Sequence, residues 1–449
     1  MLFSRKWGIE MLTIIHARIV TMDEKGIIED GYIQIEGSQI QSLGNIEEYI
    51  SASSDTGDMV FDAGGAWILP GFIDAHSHLG LFDDSLDFEG NDGNEDSDPV
   101  TPQLRALDGI HSGDICFREA YEAGVSVVMT GPGSGNVLGG QFALVRTYER
   151  TVDRAVICEP CAQKVALGEN PKRVYGKESK APATRMGTAS LLRDTLYRAA
   201  EYRDKWNEYQ LKMDAFLASE TNTADEILDR PDRPDYDMQM DSMLAVLSGE
   251  LPLKIHAHRQ DDILTAVRLC NEFGLAYTLD HCTEGHLIAD VLRDEYVAGQ
   301  KEGRGTGNRI VKGGKLIGII VGPIIGDRSK PELSAHTLRT AGVLSHEGIP
   351  IAIMTDHPSV PQQYLSLSAA LAVRGGMNYD EAISAITITA AKLCGISDQY
   401  GSLAPGKRAD LTLFSGDPLE YRSTVIAFVG GGVVKYDPSG RISDTAERK

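Results

Sequence analysis

The sequence predicts an α/β protein: a closed parallel (β/α)8 barrel of the TIM type, with a small β-sandwich assembled from both chain ends. Three observations predict it. Eight near-continuous apolar segments occupy the middle of the 449-residue chain, most of them separated by amphipathic helical stretches. Short β-rich segments recur at the two ends. The unusual polar residues gather just after the apolar segments, where barrels of this kind carry their chemistry.

Residues 11–65 read as short strands split by turns. Leu12–Met22 is apolar and β-branched, Tyr32–Glu36 alternates with period two before the Gly37-Ser38 turn, and Met59–Gly64 is a further short strand. Ala409–Phe414, Val425–Val429 and Val433-Val434 share that texture. Short strands need partners to bury a face, so the two ends are expected to pair. Residues 1–66 and 400–449 then form a composite sandwich domain, and 67–399 the barrel domain. Barrel strands are expected at Trp67–Asp74, Val125–Thr130, Gln141–Arg146, Gln163–Gly168, Leu253–His258, Ala276–Asp280, Ile317–Ile325 and Ile351–Thr355. Two segments fit this plan poorly. Asp83–Asp98 holds eight acidic residues in sixteen, and about 189–250 is a highly charged helical insertion over or beside the barrel mouth, expected as a solvated excursion, with a lid or an oligomer contact as the alternatives.

Lys+Arg 43 against Asp+Glu 65 gives a net charge of −22, which argues against nucleic acid or an anionic membrane surface as a partner. The expected partners are a small-molecule substrate and further copies of the chain in a homo-oligomer. No stretch reaches ~18 uninterrupted apolar residues, the length that spans a bilayer. The N-terminal residues carry no long apolar segment of the signal-peptide kind, so a reducing cytoplasm is expected, with Met11 a possible start. Six cysteines are too few and too scattered for a disulfide framework. The apolar company of Cys158-Glu-Pro-Cys161 predicts core thiols rather than a zinc pair.

The strongest chemical signal is Gly71-Phe-Ile-Asp-Ala-His76-Ser-His78. Alternate residues of a strand share a face, so His76 and His78 point the same way and can share one divalent ion. Three more sites repeat the pattern at strand ends: His256 and His258, His281, and Asp356 with His357. Singly each histidine reads as a structural residue. Together they read as a metal site, since neutral imidazoles with a carboxylate suit Zn²⁺, and also Mn²⁺, Fe²⁺ or Ni²⁺.

Leu69-Pro-Gly-Phe-Ile-Asp-Ala-His-Ser-His78 resembles the first-strand signature of the amidohydrolase superfamily, near its imidazolonepropionase-like and prolidase-like branch. Gly401-Ser-Leu-Ala-Pro-Gly-Lys-Arg-Ala-Asp-Leu411 resembles that superfamily's return to the sandwich. The resemblance covers almost the whole chain. It implies a distorted barrel with a composite sandwich, and His76, His78, His256, His281 and Asp356 as ligands of one or two divalent ions. It also implies a bridging ligand on the fourth strand, either a carboxylated lysine or a glutamate. Glu169, at the strand's end, is the favoured candidate and Lys164 the carboxylated alternative, with a single-metal site that uses neither as the third; five residues apart, the two face opposite sides of a regular strand.

A bound divalent ion brings the pKa of water toward ~7 and polarises a carbonyl. Asp356 is expected to carry the water proton to the leaving nitrogen, and His281 or His258 to stabilise the oxyanion, His258 alternatively holding a ligand's orientation. The expected reaction is cleavage of a C–N bond in an amide, N-acyl compound, dipeptide or cyclic amide. The alternatives are deamination of a cyclic amidine and a catalytically inactive barrel scaffold. Arg173 and Tyr175 are candidates for binding a substrate carboxylate, Ser329–Glu332 is a similar candidate, and His357 is placed at the pocket. The glycine-rich run Gly131–Gly140 lacks the Lys-Ser/Thr of a phosphate loop and reads either as backbone approaching a ligand or as a flexible turn. The acidic segment 83–98 offers a field for a cationic substrate. His16, His111, His336 and His346 read as structural or surface residues.

Overall fold

The structure is a computed structural model and describes residues 11–49, 59–84, 87–177, 180–221, 229–307 and 313–442. Strands β1 (Leu12–Val20), β2 (Ile27–Glu36), β3 (Gln39–Asn45), β4 (Met59–Asp62) and β5 (Trp67–Pro70) open the chain. The next eight are β6 (Phe72–Ser77), β7 (Val125–Thr130), β8 (Leu138–Arg146), β9 (Val156–Ala166), β10 (Leu253–Ala257), β11 (Ala276–His281), β12 (Lys315–Val321) and β13 (Ile351–Ile353). The chain closes with β14 (Leu411–Phe414), β15 (Val425–Gly430) and β16 (Val433–Tyr436).

Two sheets result. One runs β16-β15-β14-β5-β1-β2-β3, with β4 paired to β1. Its two halves come from opposite ends of the chain and meet where β14 lies antiparallel to β5, Leu411 opposite Pro70 and Leu413 opposite Ile68. Ile14, Ile19, Ile33, Leu411 and Val429 fill its core. The ends therefore pair as their alternation requires.

The other sheet orders β6 to β13 consecutively into a nearly closed barrel. Alternation sorts its side chains. Ile73, Val127, Phe142, Leu144, Ile320 and Ala352 share one buried cluster, while Phe72, Val128, Ala143, Val145 and Ile319 pack in a second with the surrounding helices. No strand ladder joins β13 to β6 among the described residues; instead Asp356 N–H donates to His76 O at 3.2 Å and His78 N–H to His357 O at 3.0 Å.

Three expectations need correction. The segment Trp67–Asp74 is two strands, since Gly71 breaks it: β5 joins the small sheet and β6 starts the barrel. At Gly71 the backbone N–H donates to Asp410 O at 2.9 Å, and a Cβ would stand 2.5 Å from Ser126 Cβ. The barrel is also not wholly parallel, because β8 runs antiparallel to β7 and β9. Only residues 131–137 link β7 to β8, fewer than the dozen or so that a parallel crossover needs. Third, the charged insertion is not wholly solvated. Its helix, Arg185–Thr221, buries Leu192, Leu196, Ala199 and Ala200 at helical spacing. That face meets the helix Gln260–Phe273, with Arg193 Nε 3.0 Å from Glu272 and Tyr197 edge-on to Phe273.

All six cysteines are free, and Cys158 is exposed rather than a core thiol. Among the described residues no helix is long and apolar enough to cross a membrane.

Candidate metal centre

The ends of β6, β10 and β11 bring five imidazoles together. His256 and His281 have ring centres 4.3 Å apart, and His258 lies 4.6 Å from each. His76 is 5.1 Å from His78 and 5.5 Å from His281. Each ring is tied back through Nδ1: His76 to Asp280 Oδ2 (2.6 Å), His78 to Gly131 O (2.6 Å), His281 to Gly322 O (2.9 Å), His256 to Ser134 Oγ (2.8 Å) and His258 to Thr283 Oγ1 (2.8 Å). A carboxylate or carbonyl acceptor fixes the proton on Nδ1 and leaves Nε2 as a donor to a metal. Nε2 of His76 and of His281 is buried without a hydrogen-bond partner.

Asp356 completes the ring, with Oδ1 3.2 Å from His78 Nε2 and 3.5 Å from His76 Nε2. Two sets of ligand atoms each lie within 4.8 Å of one another: His256, His258 and His281, and His76, His281 and Asp356. Backbone conformation makes this possible. Regular alternation would send Asp280 and His281 to opposite faces. His281 has φ +69° and Asp356 φ +55°, left-handed values that turn the chain at the strand ends. Asp280 and His281 thereby both serve the same centre.

The electrostatics suit a cation. Burial holds the pKa of His76, His256 and His258 well below the imidazole norm, and that of His281 at about 4, so these rings are neutral at pH 7. Burial opposes ionisation of Asp356, but His281 and the contact with His78 outweigh it and hold the carboxyl below the usual range. Asp280 is the same case: Lys254 at 3.1 Å and His76 outweigh burial and keep it ionised. Neutral imidazoles, a carboxylate and unpartnered inward nitrogens are a donor set that fits a divalent ion.

Lys164 lies on β9 beside Lys254 of β10. It is fully buried, its Nζ has no hydrogen-bond partner, and burial draws its pKa down to about 8. Glu169 is the first residue of the helix Glu169–Gly176; its N–H donates to Glu332 Oε2 at 3.0 Å, and its carboxylate belongs to neither donor set.

The imidazoles open on a cleft of about 750 Å³ whose walls include Phe82, Asn94, Ser134, Asn170, Ser329 and Lys330. The glycine-rich run therefore brings backbone to the centre: Gly131 and Ser134 hold two of its imidazoles. The acidic segment contributes Asn94, whose Oδ1 accepts from Gly135 N–H at 2.8 Å, and Phe82 lines the cleft just before it. Ser329 and Lys330 reach the cleft, and Glu332 is buried, 3.8 Å from His258 Nε2. His336, expected to be structural or on the surface, also lines it. Three candidates lie elsewhere. Arg173 is exposed and bonds Asn170 at 3.4 Å. Tyr175 is sealed in the core, its hydroxyl donating to Asn136 Oδ1 at 2.6 Å, so it has no face to offer a ligand. His357 is buried behind the wall that Asp356, Pro358 and Ser359 form.

Comparison with known proteins adds four likenesses. A sequence profile described as the amidohydrolase family matches residues 67–436. The amidohydrolase tasK of Hapsidospora irregularis is 25% identical over 397 residues, 84% of this chain, but the chain spans only 37% of that protein. An imidazolonepropionase of Rhizobium meliloti is 26% identical over 429 residues, 90% of each protein. The crystal structure of an amidohydrolase from Thermotoga maritima MSB8 superposes with a TM-score of 0.81 at 32% identity, covering 95% of this chain and 100% of that one.

Proposed function

The chain belongs to the amidohydrolase family, whose enzymes act on C–N bonds, and from that premise we propose a metal-dependent hydrolase of a small amide. One observation carries the reading: inward-facing imidazoles, each tied back through Nδ1, converge with an ionised aspartate at one end of the barrel. His76, His78, His256, His281 and Asp356 would hold the ion or ions, with Zn²⁺ the first candidate. Lys164, carboxylated, is the bridging ligand we favour over Glu169, because its buried amine has no hydrogen-bond partner.

When bound, the divalent ion supplies the Lewis acidity that makes water a nucleophile near neutral pH and polarises the scissile group. Asp356 takes the proton of the attacking water on its carboxylate and returns it to the leaving nitrogen. His258 stands beside the ring of donors, held by Thr283, and is placed to donate to the oxygen on which negative charge develops. The cleft's volume of about 750 Å³ supports a small-molecule substrate. Among amides we favour a cyclic one, which the likeness to an imidazolonepropionase along 90% of both chains supports. Deamination of a cyclic amidine would use the same groups and differs in releasing ammonia. We further propose that the barrel and the small sheet are separate domains, and that the protein works in the cytoplasm as a homo-oligomer.

A panel of cyclic amides, N-acyl amino acids and dipeptides, assayed with and without chelator, tests the reading. Hydrolysis that chelator abolishes and Zn²⁺ or Mn²⁺ restores is expected. Turnover that survives complete metal removal, or metal-loaded protein inert on every C–N substrate, contradicts it.

A further inference from the structure

Among the described residues the barrel closes between β6 and β13 with no ladder, yet this seam carries Asp356 on one side and His76 and His78 on the other. A buried side-chain network spans it. Asp74, fully buried, accepts from His76 N–H at 3.1 Å through Oδ1. Its Oδ2 accepts from Thr355 N–H at 3.0 Å, Thr355 Oγ1 at 2.6 Å and Gln362 Nε2 at 2.6 Å. The network continues on both sides: Ser77 Oγ donates to Gln362 Oε1 at 2.7 Å, and His357 N–H donates to Thr355 Oγ1 at 3.2 Å.

Every group facing Asp74 is a donor, so only an acceptor-only side chain satisfies the set, and a carboxylate does so. An asparagine amide would turn its NH₂ toward either His76 N–H or the Thr355 and Gln362 donors. The bonds grip the residues flanking Asp356, whose φ of +55° is a left-handed conformation that non-glycine residues adopt only when their surroundings impose it. Asp356 itself is held by its own N–H to His76 O at 3.2 Å, by Ser359 N–H donating to its carbonyl at 2.8 Å and by Ser359 Oγ donating to its Oδ2 at 2.9 Å, and the Asp74 network fixes the residues on either side of it.

We propose that Asp74 is a positioning residue: it bridges the barrel seam and sets the Asp356 carboxylate against His76 and His78. The inference rests on the metal-centre reading above. Its prediction is non-additivity, because a residue that acts through Asp356 has nothing to act on once that carboxylate is gone.

The test is Co²⁺ titration of the full-length apo protein, comparing wild type, D74N, D356N and D74N/D356N. D74N is expected to weaken Co²⁺ binding about tenfold or more in the wild-type background, the range seen for partners that orient ligands. In the D356N background the same change is expected to cost less than about twofold, within ordinary additivity error. Thr355→Val, which removes one hydroxyl and keeps the fold's volume, should weaken binding in the same direction and be likewise silent in the D356N background; it serves if D74N does not fold. Equal cost of D74N with and without the Asp356 carboxylate overturns the positioning role and leaves the metal-centre reading standing. Unchanged Co²⁺ affinity in D356N overturns both.

Discussion

Asp280→Asn isolates the buried charge pair beneath the centre. Asp280 accepts from His76 Nδ1 at 2.6 Å and lies 3.1 Å from Lys254 Nζ; both charged side chains are at most 1% exposed, so solvent screens neither. The amide still accepts the His76 bond but no longer balances the ammonium. Leaving one member of a buried pair uncompensated costs about 3–5 kcal/mol. Removing both charges is far cheaper, so Lys254→Met/Asp280→Asn is expected to recover most of the loss, to within about 2 kcal/mol of wild type. Urea unfolding in the presence of chelator reads this, since chelator removes any stabilisation by bound metal. A D280N loss below about 1 kcal/mol, or a double variant no more stable than D280N, refutes the pair as the source of the effect.

Gly71→Ala places a Cβ 2.5 Å from Ser126 Cβ and should destabilise by about 1–3 kcal/mol by overpacking, with Ser126→Gly relieving it; melting curves of the three variants decide. Tyr175→Phe should cost about 1 kcal/mol for the lost Asn136 bond and leave KM untouched. A KM that changes with the substrate's charge would return Tyr175 to the binding site. Thiol titration of the native protein should label Cys158 before the buried cysteines, and Cys158→Ser should remove that first phase; an unchanged first phase contradicts its exposure.

The strand-end histidines were legible because period-two alternation and a polar residue closing an apolar run are both written in local sequence. The pairing of the chain ends was legible for the same reason. What stayed hidden depends on contacts remote in sequence. Trp67–Asp74 reads as one apolar run, and only its remote partners show that it divides at Gly71, Trp67–Pro70 pairing with β1 and β14 and Phe72–Ser77 with β7. The reversal of β8 follows from a linker too short for a crossover, a signal available in the spacing of Thr130 and Leu138 once strand bounds are known. Asp280 sits beside His281, yet alternation assigns it to the wrong face; the left-handed turn at His281 is invisible in the hydropathy pattern. Ser134 and Thr283 bond the rings of His256 and His258, Asp74 accepts from the His76 N–H, and Lys254 pairs with the Asp280 that accepts from His76; each is recognisable only through its partner. Tyr175 shows the converse. Its closeness in sequence to Glu169 suggested a binding role, but the helix carries it into the core.

Anomalous diffraction at the metal edge, on crystals of the purified protein, bears most directly on the central claim. The account predicts strong density enclosed by His76, His78, His256, His281 and Asp356, at one or two positions. Density at a different place, or these five side chains lying apart with no cation among them in fully active protein, would contradict it.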